Sequence, residues 1–120
     1  MSMIYRTTIS DLGDSALDFI EDGMLILFKT GAPEDLAMFC VLHTENELTD
    51  TIEVGQTFSI GKNVAKITAV GDAVNTNLKE LGHITLRFDG LVEAELPGCL
   101  HMEAIQLDKF EPGETITIIK

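Results

Sequence analysis

The amino-acid sequence predicts a mostly β fold: a closed or nearly closed antiparallel β barrel with two short helices. Three observations lead there. Short runs rich in Val, Ile and Thr recur along the 120 residues, turn signals built on Gly, Pro, Asn and Asp separate them, and only two longer segments carry helical spacing. Closure is preferred to an open arrangement because it removes edge strands on which other chains could pair.

Taken in order, Ile4 to Ser10 is rich in β-branched residues and predicts a first strand, stopped near Gly13. Between Ser15 and Asp22, the spacing of Ala16, Leu17, Phe19 and Ile20 predicts a two-turn helix, capped by Asp14 or Ser15 and ended at Gly23. Met24 to Phe28 is a continuous apolar strand. Gly31 and Pro33 turn the chain, and Pro33 with Glu34 and Asp35 suits the start of a single helical turn. The apolar run Ala37 to Leu42 then predicts a buried strand rather than a helix, because it is short and gives way abruptly to polar residues.

From His43 to Asp50 the chain is polar and reads as a loop. Thr57 to Ile60 is a strand, and Gly61-Lys62-Asn63 a hairpin connection into Val64 to Val70. Asp72 to Leu81 predicts the second helix, with Ala73, Val74, Leu78 and Leu81 on one face and Gly82 as its stop. His83 to Phe88 alternates: Ile84, Leu86 and Phe88 point one way, His83, Thr85 and Arg87 the other. Cys99 to Ile105 is a second alternating strand, with Leu100 and Met102 opposed to His101 and Glu103, and Thr115 to Ile119 is the last. No linker or repeat interrupts this pattern, so residues 1–120 read as a single domain.

Composition narrows the function. A net charge of -12 disfavours nucleic acid and anionic lipid, which carry the same sign, and favours a basic protein partner. Cys40 and Cys99 each sit in an apolar stretch without paired spacing and read as reduced core residues. The N-terminus carries no signal-peptide pattern and no apolar run has membrane-spanning length, so a cytoplasmic location without membrane insertion is expected.

The candidate chemistry centres on His43. A histidine at the end of a rigid apolar strand, followed by Thr44, Glu45, Asn46 and Glu47, is expected to be held from one side and open from the other. Imidazole suits nucleophilic chemistry there because it sits neutral near neutral pH. The bland alternative is a plain polar histidine at a strand end.

The segment Phe39-Cys40-Val41-Leu42-His43, with Ala32-Pro33 and Asp35-Leu36 before it and Glu47-Leu48 after it, resembles the reactive segment of the sorbitol (glucitol)-specific enzyme IIA component of the bacterial sugar phosphotransferase system. Ile4-Tyr5, Thr7-Thr8-Ile9, Thr68-Ala69-Val70-Gly71, Glu80-Leu81-Gly82-His83 and Thr85 to Leu91 are similar to that family in the same order, so the resemblance covers nearly the whole chain. It implies a phosphoryl relay without a cofactor or metal: the carrier HPr phosphorylates a histidine, which passes the group to the membrane-associated IIB/IIC components for sorbitol uptake. Carried over, the phosphohistidine is His43, with the phosphate on Nε2.

Such transfer asks mainly for positioning and for donors around the phosphoryl oxygens. Thr44 is a candidate donor. A carboxylate or backbone carbonyl on Nδ1–H would leave Nε2 free to attack. His83 is a candidate supporting residue, and Arg87, on the same side of its strand, a candidate phosphate contact. Where some family members carry a second histidine two residues on, this chain has Glu45, which is expected to point outward. Two other classes compete: a metal-binding β domain using Cys40 with the histidines, against which an extended Cys40-x-x-His43 argues, and a small β module without a reactive histidine.

Overall fold

The structure is a computed structural model that describes residues 2–120. Among them are nine strands: β1 (Met3–Leu12), β2 (Met24–Lys29), β3 (Val41–His43), β4 (Glu47–Leu48), β5 (Thr57–Ile60), β6 (Asn63–Val70), β7 (Ile84–Phe88), β8 (Cys99–Met102) and β9 (Thr115–Ile119). Two helices accompany them, α1 (Glu34–Ala37) and α2 (Val74–Leu81).

Strand pairing runs β3-β2-β7-β8-β6-β5-β9-β1 and returns from β1 to β3, so the hydrogen bonding closes into a ring with β4 attached to β1. Closure follows the expectation; antiparallel pairing throughout does not. Strands β2 and β3 are parallel, as are β7 and β8. The cause lies in the connections: the α1 crossover and the segment 89–98 each carry the chain back to the end from which it came, as a parallel pair demands. Strands β1 and β6 each break register, near Ser10 and Thr68, and a bulge at such a point lets a long strand bend from one half of the ring into the other.

Side chains inside the ring form the core. Phe58 and Ile60, Ala65 and Ile67, Ile84, Leu86 and Phe88, and Ile116 and Ile118 are buried at alternate positions. Each large member is worth about 1.5–3 kcal/mol relative to exposure. Helix α2 sends Val74 and Leu78 into that core, and Asn75 Oδ1 accepts from the Ile52 N–H at 2.7 Å, which ties the helix to the segment before β5. Leu81, expected on the buried face, is half exposed at the last turn of α2.

Three local expectations change. Ser15 to Asp22 forms successive three-residue turns and a short 3₁₀ helix over Ile20–Asp22, not an α-helix, because bonds such as Asp18 N–H to the Ser15 carbonyl close after three residues. Of the apolar run 37–42 only Val41 and Leu42 are strand, as the first two residues of β3. Ala37 ends α1, Met38 and Phe39 are exposed, and the Met38 and Cys40 carbonyls accept from Ser15 and Gly13. A Cβ on Gly13 would lie 2.1 Å from the Ala37 carbonyl oxygen, so only glycine allows that approach. Strand β8 stops at Met102 and is buried at every position, His101 included, because the segment 89–98 covers its outer side.

Candidate functional site

His43 ends β3 opposite Ile9 of β1 and beside Lys29 of β2. Thr7, two residues before Ile9, shares the inward face of β1, so its hydroxyl meets the imidazole. The ring has no exposed surface. Its Nδ1 lies 3.0 Å from Thr7 Oγ1 and its Nε2 2.8 Å from the Gly82 carbonyl oxygen. A carbonyl can only accept, so Nε2 carries the proton. The Asn46 N–H donates to Thr7 Oγ1 at 3.0 Å, which leaves the Thr7 hydroxyl hydrogen for Nδ1.

Two expectations fall here. His43 is sealed rather than open, because β3 is paired on both sides, its last side chain points inward, and the end of α2 lies over it. The carbonyl holds Nε2–H rather than Nδ1–H. Burial pushes the His43 pKa down, the Gly82 carbonyl and Glu45 oppose that shift, and Lys29 adds to it.

The seal has its own supports. Asn46 adopts φ +48°, accepts from the Tyr5 hydroxyl at 2.8 Å and donates through Nδ2 to the Leu78 carbonyl at 2.7 Å. It joins β1, the loop after β3 and helix α2. Gly82 caps α2 at φ +63°; a Cβ there would lie 2.6 Å from Lys29 Cβ and 3.0 Å from His43 Cε1. Glycine is needed on both counts.

Outside the seal, Glu45 points outward as expected and pairs with Arg6 at 3.1 Å. The Thr8 hydroxyl, with Thr44 and Arg6, holds its carboxyl at about 2. Thr44 Oγ1 donates to that carboxylate at 3.1 Å, so the ring's hydroxyl partner is Thr7 rather than Thr44. Thr7 escaped sequence reasoning because a threonine in a β-branched run reads as strand propensity. Its inward parity between Tyr5 and Ile9 was the available signal.

His83 begins the next segment, just past Gly82, and is only half buried. Its Nδ1–H donates to the Leu27 carbonyl at 3.0 Å, and its ring stacks on Phe28 with centroids 4.4 Å apart. The lone pair is therefore on Nε2. The ring lines a pocket of about 130 Å³ with Asn77, Thr85, Leu96 and Cys99. The arrangement expected at His43, a carbonyl on Nδ1–H and a free Nε2, occurs at His83.

Arg87 lies four residues further along β7, roughly 13 Å away. It faces Asp89 at 3.7 Å and Glu95 at 3.6 Å, so the expected phosphate-binding fork with His83 is not formed. Ligand atoms of Asp89, Glu95 and His101 lie within 4.8 Å of one another. His101 has no lone pair to spare, since Nδ1–H donates to Asp89 at 2.9 Å and Nε2 accepts from the Glu95 N–H at 3.4 Å. The neighbouring guanidinium already supplies positive charge. Partial burial pushes the Asp89 carboxyl up, but the hydrogen bond from His101 and the nearby charges leave it below the usual carboxylate range. Cys40 and Cys99 are buried free thiols, and Cys40 Sγ–H donates to the Leu36 carbonyl at 3.1 Å, away from any ligand set with His43.

The family model described as PTS system glucitol/sorbitol-specific IIA component matches residues 4–117. The glucitol/sorbitol-specific EIIA components of Escherichia coli (strain K12) and Shigella flexneri are each 47% identical over 116 residues, which is 97% of this chain and 94% of theirs. The chain belongs to the glucitol/sorbitol-specific IIA family of the phosphotransferase system.

A crystal structure of a PTS system IIA component from Enterococcus faecalis V583 superposes with a TM-score of 0.85 at 27% identity, covering 96% of this chain and 99% of that one. As a glucitol/sorbitol-specific IIA chain, the protein is a phosphotransferase component of sugar uptake. Among the described residues, no helix is long and apolar enough to cross a membrane.

Proposed function

We propose that this chain takes a phosphoryl group from HPr onto His43 Nε2 and passes it to a cysteine of the IIB component, serving sorbitol uptake from the cytoplasmic side as one domain. Family membership supports the reading, and one observation carries it: a neutral imidazole, kept so by burial, is gripped at both nitrogens by Thr7 and Gly82. Such a ring is positioned, and positioning is most of what phosphoryl transfer requires. The seal adds a condition. Transfer needs the Gly82 carbonyl to leave Nε2, so the C-terminal end of α2 opens before the donor reaches the ring.

One observation favours a second reading. His83 presents the free Nε2 that His43 lacks, and does so at a half-open surface.

The test is labelling with phosphoenolpyruvate, enzyme I and HPr, followed by a chase with the IIB domain, in wild type and in the His43→Gln and His83→Gln variants. The expected result is labelling and transfer in wild type and His83→Gln, and neither in His43→Gln. Full labelling and transfer in His43→Gln would move the site to His83.

A further inference from the structure

The two groups that grip His43 differ in kind. Gly82 offers a carbonyl oxygen, which only accepts; Thr7 offers a hydroxyl, which both donates and accepts. Gly82 therefore dictates where the proton sits, and Thr7 is compatible with either tautomer. In the closed chain Nε2 is masked twice, by its proton and by the oxygen over it.

We infer that Thr7 is a positioning residue for phosphoryl transfer at His43, holding Nδ1 through a tautomer exchange that departure of the Gly82 carbonyl permits. The inference rests on the relay reading above and goes beyond it, because it ties opening of the site to activation of the nucleophile. Once the carbonyl lifts away, Nε2 gives its proton to water and Nδ1 takes one up. Thr7 Oγ1 turns from donor to acceptor, and the ring stays neutral. The Nε2 lone pair then forms the N–P bond as the bond from phosphorus to the donor's own atom breaks, with that electron pair returning to the donor atom. The positive character that develops on the ring sits at Nδ1–H, against Thr7 Oγ1.

The architecture assigns the movable part to the turn at Gly82, because Val74 and Leu78 hold the body of α2 in the core. Thr7 lies inside β1, in register with Ile116 of β9, and its oxygen is also held by the Asn46 N–H. Gly82 lies at the joint between α2 and β7, outside any strand, next to the half-exposed Leu81. When the Gly82 turn moves, the wall that holds Nδ1 stays in place and the cover over Nε2 leaves.

The experiment combines ¹⁵N NMR of the His43 ring with labelling rates of the full chain as wild type, Thr7→Val and Thr7→Ser. The free wild-type ring is expected to carry its proton on Nε2, and the phosphorylated ring to carry phosphate on Nε2 and a proton on Nδ1. Thr7→Val, which is nearly isosteric, is expected to slow labelling of His43 about tenfold through loss of the bond to Nδ1, the Asn46 N–H losing its acceptor as well, and Thr7→Ser to recover most of it. A proton on Nδ1 of the free ring overturns the inference with no variant involved. Labelling of Thr7→Val at the wild-type rate overturns it alone, whereas wild type that acquires no phosphate on His43 overturns the relay reading and this inference together.

Discussion

His43 and His83 meet at one residue: the first bonds the carbonyl of Gly82, the second follows Gly82 in the chain. They are opposites in every other respect. His43 points into the ring, has no exposed surface and spends both nitrogens on protein partners. His83 sits on the outside, stacked on Phe28, with Nδ1–H bound and Nε2 free. The difference teaches that exposure and positioning are separate properties of a nucleophile. An exposed ring meets any reagent in solution; a sealed one is held in a single geometry and is reached only where its cover moves.

The comparison breaks most visibly at the residue the two rings share. Gly82→Val adds a side chain at φ +63°, where Cβ would meet Lys29 Cβ at 2.6 Å. The expected cost exceeds about 2 kcal/mol, and melting followed by circular dichroism should show a drop of roughly 10 °C. Nearly as large is the contrast between the rings themselves. His43→Ala removes a buried ring and strands the Gly82 carbonyl and the Thr7 hydroxyl, for about 2–4 kcal/mol in urea unfolding. His83→Ala gives up an outer stacking contact for less than about 1 kcal/mol.

Chemical reactivity sharpens the same contrast. Diethyl pyrocarbonate needs a reachable ring nitrogen, which His83 offers at Nε2 and sealed His43 does not, so His83 should be modified more than about tenfold faster than His43, measured by mass spectrometry of short exposures. The smallest effect is in the pH dependence of stability. Burial lowers the His43 pKa in the folded chain, so below about 6.5 the unfolded chain takes up a proton that the folded chain refuses. This contribution is fully present above that pH and is lost as pH falls. Melting temperatures between pH 7.5 and 5.5 should therefore fall less steeply in His43→Gln than in wild type.

What was legible in the chain depended on how local its cause was. The alternation of Ile84, Leu86 and Phe88 was readable because one face of β7 is core and the other is not. The stop at Gly82 was readable because a left-handed cap needs glycine. The run Ala37 to Leu42 misled because apolar character alone does not separate a strand from a turn held by neighbouring loops. Met38 and Phe39 stay exposed while the backbone there is bonded to Gly13 and Ser15. His101 looked outward by parity, yet the segment 89–98 folds over it.

The site divided in the same way. The position of His43 at the end of a strand came from the apolar run, and its likeness to a reactive segment from the residues around it. Its partners came from nowhere local, since Thr7 and Gly82 lie 36 and 39 residues away along the chain. Arg87 shared parity with His83 but not proximity, and its charge is already answered by Asp89 and Glu95.

The most direct measurement is residue-level mapping of the phosphate on the wild-type chain after a brief pulse from phospho-HPr. Phosphate on His43 with His83 bare is the result this account predicts, the sealed ring chosen over the open one. Phosphate on His83 with His43 bare would contradict it.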